Sequence, residues 1–131
     1  MSASVTLFRR LALSLPEAVE SAHMGHPDFR LNDRIFATLS AQANGCGVLM
    51  LPLEQQAAFV AERPEIFEPV PGGWGRKGIT LVHLAVVDEA MLRGALMTAY
   101  RHIEMKQLNS KKRHRTKSPP KNVIAPTIKL S

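Results

Sequence analysis

The sequence predicts a two-layer α+β domain, a largely antiparallel five-stranded sheet with helices on one face, in the order α-β-β-β-α-β-β-α. Three observations carry the prediction. From Gly25 to Thr38, apolar and polar residues alternate on both sides of Asn32-Asp33, the mark of a β-hairpin whose turn tolerates left-handed backbone. Two segments, Ser4–Leu15 and Asp88–Ile103, space their apolar residues at the period of a helix. Between Ile79 and Val87, β-branched and apolar residues occupy both phases, which suits a buried strand.

In chain order, Ser4 suits the N-cap of a first helix whose inward stripe is Phe8, Leu11, Ala12 and Leu15, with Arg9 and Arg10 outside it. Pro16 ends that helix near Leu13, because the residue before a proline is driven out of the α region. Ala18 to Met24 leads to the hairpin, with room for a short strand around His23. A two- or four-residue hairpin loop sets Leu31 opposite Arg34 and Phe29 opposite Phe36; a three-residue loop breaks that pairing. Ala41–Gly45 reads as the next turn and Cys46–Leu51 as the third strand. Pro52 fits the first position of a second helix running to about Glu62, with Leu53, Ala57 and Val60 inward until Pro64 stops it. Pro69 limits Glu65–Val70 to a short or edge strand, since it donates no ladder hydrogen bond. The loop Pro71–Gly78 then feeds Ile79–Val87, expected to be the best-buried strand. Asp88 caps the last helix, in which Leu92, Ala95, Leu96, Ala99 and Ile103 face inward and which is expected to fade near Lys106.

A chain of 131 residues with 45% hydrophobic content is one domain by size, and it can bury a core without metal or disulfide support. The expected division is a domain over 1–108 and a basic tail over 109–131 that is disordered in isolation, as a charge run with prolines should be. The single Cys46 forms no internal disulfide and suits a reducing cytoplasm. No apolar run approaches the roughly 20 residues a membrane span requires, so a cytoplasmic protein without membrane contact is expected. The net charge of +6 is unevenly placed. Through Met105 the chain holds nine basic and eleven acidic residues; from Lys106 on it holds eight basic residues and no acidic one. The basicity belongs to the tail.

The motifs Ala12-Leu13-Ser14-Leu15-Pro16-Glu17, Gly25-His26-Pro27-Asp28-Phe29-Arg30, Ile35-Phe36-Ala37-Thr38-Leu39, Trp74-Gly75-Arg76 with Gly78, and Tyr100-Arg101 follow one another in order. Together they resemble the MmcQ/YjbR-like family, and the resemblance runs from about Leu7 to Leu108. It implies a compact CyaY-like double-wing fold of the order derived above. The family is of unknown function and is described as predicted DNA-binding on grounds of fold, which is a weak warrant because fold does not fix function. The tail from Asn109 to Lys121 departs from the family pattern, so its role is not carried over.

No catalytic constellation is legible, and neither an enzyme nor a cofactor is expected. His23, His26, Cys46 and His83 are metal-ligand types, but they lack paired spacing, so a turn role for His26 and a sheet position for His83 are the plainer readings. Cys46 shows no nearby base in sequence and reads as a small buried hydrophobe. Asp28, Asp33 and Asp88 have ordinary turn and cap roles. The loop Pro71–Gly78 is the most suggestive piece. Its glycines allow close backbone approach, Trp74 can stack on a base, and Arg76 and Lys77 can hold phosphate. It lacks the Gly-Lys-Ser/Thr of a phosphate-binding loop, and the plainer expectation is that Trp74 plugs the open end of the sheet.

Two functional classes follow. The first is non-enzymatic binding of nucleic acid, DNA or RNA, with Arg30, Arg34, Trp74, Arg76 and Lys77 as domain contacts and Lys111, Lys112, Arg113, Arg115 and Lys117 as an electrostatic arm. His26 and Asp28 are then structural. The second is a protein-interaction or self-associating module that docks a partner, or a second copy, on the open face of the sheet.

Overall fold

A computed structural model of the chain describes residues 4–117, the last eight by backbone alone. Helix α1 (Val5–Leu13) is followed by strands β1 (Val19–His23), β2 (His26–Leu31), β3 (Arg34–Thr38) and β4 (Cys46–Met50). Helix α2 (Leu53–Glu62), strand β5 (Phe67–Pro69), the one-turn helix α3 (Gly73–Arg76), strand β6 (Ile79–His83) and the long helix α4 (Glu89–Lys117) complete it. All strands pair antiparallel in one open sheet of order β1-β2-β3-β4-β6-β5. The two-layer α+β class stands, with six strands where the sequence reading counted five. The added strand is the outer edge β1, whose five residues are all exposed and so leave no burial pattern in the sequence.

The local signals hold where one short segment decides them. Ser4 caps α1 by accepting from the Leu7 amide at 3.0 Å, and Asp88 caps α4 by accepting from the Met91 amide at 2.8 Å. The stripes Phe8, Leu11, Ala12 and Leu92, Ala95, Leu96, Ala99, Ile103 are buried in one core with Phe29, Phe36, Leu49 and Val82. The hairpin turns at Asn32 and Asp33, both at positive φ (50° and 69°), and Leu31 pairs with Arg34 as expected.

Four expectations are corrected. Phe29 faces Ala37, because β3 carries one extra residue between its pairings with Phe29 and Arg30. The bulge lets Phe36 and Ala37 both reach the helical layer, where both are buried. The strand expected over Ile79–Val87 stops at His83. Only Thr80 and Val82 are fully buried in it; Ile79, Leu81 and His83 are half-covered on the other face. In α2, Leu53 is exposed, and the inward side carries Gln56, Phe59 and Val60. Helix α4 runs through Lys117 and passes the expected end at Lys106, which suits the strong helix propensity of Lys, Arg, Gln and Leu. That backbone covers the start of the tail expected to be disordered; residues 118–131 lie outside the described part.

Gln56 shows why α2 defeats a purely apolar reading. Its buried Nε2 donates to the Gly75 carbonyl (3.0 Å), the Thr80 hydroxyl (3.0 Å) and the Ile79 carbonyl (3.3 Å), tying α2 to α3 and β6. Gln56→Ala is expected to cost about 1–3 kcal/mol, because it leaves these buried acceptors short of a donor. Urea unfolding measures the loss, and a cost near zero would mean water replaces the amide. Among the described residues, no helix is long and apolar enough to cross a membrane.

Candidate nucleic-acid interface

The antiparallel order brings several residues singled out in the sequence to one end of the sheet. The β2–β3 turn, the end of β4, the start of β6 and the end of β5 all lie there. Leu51, just past β4, donates its amide to the Gly78 carbonyl at 3.0 Å, which joins the hairpin side to the Trp74 side. β3 and β6 are separated by β4 alone, so Arg34 and Gly78 start about two strand spacings, roughly 10 Å, apart.

The segment expected to be a glycine loop is built around the single turn of α3. Gly75 packs so closely on β5 that a Cβ there would lie 2.1 Å from the Val70 carbonyl oxygen. This close packing pins the turn that carries Trp74. Trp74 is 62% exposed, so it does not plug the sheet; the plainer expectation is overturned. The Lys77 ammonium lies 5.4 Å from the centroid of the indole, in cation–π range. Arg76 and Lys77 are both exposed.

The hairpin tip is fixed from the helical side. Gln107 of α4 donates to the Leu31 carbonyl at 2.7 Å and accepts from the Asn32 side-chain amide at 3.1 Å. Beyond this contact α4 continues for ten residues, about 15 Å of helix. Lys111, Lys112, Arg113, Arg115 and Lys117 therefore lie on a helical extension that leaves the domain at the hairpin end. Gln107 as the anchor was not found in the sequence, where a lone Gln before a basic run carries no signal.

Arg34 is exposed beside the turn. Arg30 is differently employed. Its Nε and Nη2 donate to the two carboxylate oxygens of Asp28 at 2.8 and 3.1 Å, and Asp28 is 1% exposed. This hydrogen-bonded pairing raises the already high pKa of the guanidinium, so Arg30 stays charged. Asp28 takes neither the turn nor the cap role expected of it, since it is buried within β2 against Arg30, and Arg30 can offer a ligand only the donors that Asp28 leaves. Near the same tip, Glu17 and Glu104 line a cleft with Tyr100, and burial followed by those two charges raises the Tyr100 pKa. The Tyr100 hydroxyl donates to the Pro16 carbonyl at 3.0 Å. The two carboxylates thus sit beside the hairpin tip, on the Pro16–Tyr100 side of it.

The four metal-ligand types separate into two pairs. His23 pairs with His26 across β1 and β2, Cys46 pairs with His83 across β4 and β6, and β3 stands between. Among the described residues, no group of three or more His, Cys, Asp and Glu side chains is arranged to hold a metal ion. The structure does place His83 against Cys46, a base that sequence reading did not find because the partnering of β4 with β6 is a long-range register.

A six-stranded open antiparallel sheet with a helical layer on one side defines the class, a two-layer α+β domain with one sheet face uncovered. The sequence pattern of the YjbR family matches residues 13–102, and the chain belongs to that family. The crystal structure of the Deinococcus radiodurans protein DR2400, described as a DUF419 domain, shares the fold: the TM-score is 0.62 at 19% identity, over 76% of this chain and 77% of that one. A search of curated proteins found no match.

Proposed function

We propose that the protein is a non-enzymatic, cytoplasmic nucleic-acid-binding protein that uses this sheet end as its contact surface and the basic extension of α4 as an electrostatic arm. The observation that carries the reading is the exposed Trp74 with Lys77 against its ring, at the same end as Arg34 and the basic helix. An indole left in water on a pinned turn offers a stacking face, and the cation beside it suits the phosphate that follows a stacked base. Arg76 and Arg34 extend the track. The contacts named are a stacking ring and cations, so the reading is of contact with backbone and unpaired bases rather than of sequence readout.

Fluorescence anisotropy with short labelled single- and double-stranded DNA and RNA, over a salt series, tests the proposal. If four to six phosphates are engaged, log K falls with log salt at a slope of roughly −4 to −5 on duplex and about −3 to −4 on single strands. Trp74→Ala is expected to weaken single-strand binding by about 1–3 kcal/mol, or roughly 5- to 150-fold, while leaving the slope unchanged. Replacing Lys111, Lys112, Arg113, Arg115 and Lys117 by Gln should instead flatten the slope. Salt-insensitive binding, or none, would sink the reading.

The alternative of a protein partner or second copy rests on the open face, where Met50, Ile79 and Leu81 form a half-covered apolar strip. A dimer that persists at high salt, with no nucleic-acid binding, would favour it.

A further inference from the structure

Cys46, His83 and Glu68 meet on the open face, at the opposite end of the sheet from Trp74. Register puts them there. Cys46 pairs with His83 across β4 and β6, and β5 brings Glu68 alongside. The His83 Nε2 lies 2.6 Å from a Glu68 carboxylate oxygen, so with a neutral ring this nitrogen carries the hydrogen and donates it. Nδ1 then presents its lone pair to the Cys46 sulfur, 3.4 Å away. A thiol, a base within reach of it and a third group orienting that base form the arrangement that activates nucleophiles.

We propose that Cys46 is a site of covalent oxidation by a small uncharged hydroperoxide, with His83 taking the thiol proton and Glu68 acting as its positioning residue. Two features select the reagent. Cys46 is 2% exposed and lies outside the hydrophobic core cluster, on the sheet face that carries His83; besides the His83 nitrogen, its sulfur lies 3.6 Å from the Asn44 carbonyl oxygen, the competing acceptor for the thiol hydrogen. A thiol this closely covered requires a small reagent, and the Glu68 carboxylate disfavours an anionic one. Burial, and then the charge of Glu68, pushes the thiol pKa up. The resting group is therefore the neutral thiol, and its proton must leave as the new bond forms.

The step balances. The sulfur electron pair attacks one peroxide oxygen, the thiol proton passes to His83 Nδ1, and the O–O bond breaks. The departing hydroxide or alkoxide takes the proton from His83 and leaves as water or alcohol. Sulfur is oxidised by two electrons to a sulfenic acid, and the peroxide is reduced by the same two. The sequence holds no second cysteine to trap the product as an internal disulfide.

The test is the reaction of the full folded chain with hydrogen peroxide, followed by intact mass and by trapping of the sulfenic acid with dimedone. Wild type should gain one dimedone adduct per chain, and Cys46→Ser none. His83 both covers the thiol and accepts its proton, and these roles have opposite signs. If His83 only covers, His83→Ala reacts faster. If it is the base, that variant reacts roughly tenfold slower or more, and Glu68→Gln is slowed by a smaller factor. His83→Gln serves as the second variant should His83→Ala misfold by circular dichroism. A rate that is unchanged or raised without His83 overturns the proposal. So does a wild-type rate no faster than global unfolding.

Discussion

Replacing Phe8 with alanine is expected to cost about 3–5 kcal/mol, the range for losing a fully buried aromatic ring. Against a total stability of roughly 5–15 kcal/mol for a domain, that loss leaves a large share of the chain unfolded at modest urea. The ring has no exposed surface, lies tilted against Phe29 at 5.9 Å, and covers β4 at Gly47. A Cβ built on Gly47 would stand 2.3 Å from the Phe8 ring, so the missing side chain of one residue is the seat of the other. Gly47→Ala alone should therefore overpack the core by about 1–3 kcal/mol. In the Phe8→Leu background the same methyl enters vacated space, and the double variant should fall short of additivity by about 1 kcal/mol or more. Urea unfolding of the four proteins measures the coupling. Strict additivity would mean that helix α1 shifts to absorb the change and that the two residues are not matched.

This pair also marks where the sequence stops being informative. That Phe8 faces inward is legible from its spacing with Leu11, Ala12 and Leu15. That it rests on Gly47 depends on how α1 crosses a strand thirty-nine positions away, and no local signal carries that. The same division runs through the rest of the chain. Asn32-Asp33 and the caps Ser4 and Asp88 were readable because each acts on its own neighbours. The Phe36 bulge was not, because alternation on β2 and β3 reads as an unbroken register, whereas the bulge sets Phe29 against Ala37 and Arg30 against Ile35. Gln56 turns inward to satisfy carbonyls of a distant turn, against its polar character. In the candidate site, the residue types of the Trp74 segment were legible, but its exposure was not. The turn that carries Trp74 rests on Gly75 packing against the Val70 carbonyl, a contact made possible by a missing side chain and so without a pattern of its own in the sequence. The Cys46–His83 contact needed the register of two strands separated by α2, β5 and α3.

Gly78→Ala is expected to be the other severe variant, and the one that couples the fold to the candidate site. The backbone of Gly78 has φ +99°, and an added Cβ would lie 1.9 Å from the Leu51 carbonyl oxygen. The first feature alone costs about 1–3 kcal/mol for a residue with a side chain. The second cannot be relieved by rotating a side chain, because the obstacle is main chain. Either β6 moves from β4 or the turn after α3 opens, for a total of about 3–5 kcal/mol, at the upper end of single substitutions. Gly78 also holds three hydrogen bonds that place Trp74: its amide donates to the Gly75 carbonyl at 3.0 Å, and its carbonyl accepts from the Leu51 amide at 3.0 Å and the Thr80 hydroxyl at 2.9 Å. Opening the turn therefore releases α3. In protein still folded at low temperature, Gly78→Ala should shift Trp74 emission and weaken single-strand binding nearly as much as Trp74→Ala, although Gly78 offers a ligand no side chain. The two variants separate the roles: Trp74→Ala should change binding with little change in the unfolding midpoint, since an exposed ring contributes little to stability. If Gly78→Ala lowers stability and leaves binding intact, the site does not depend on how α3 is held, and the contact surface lies on the Arg34 and α4 side of the sheet end.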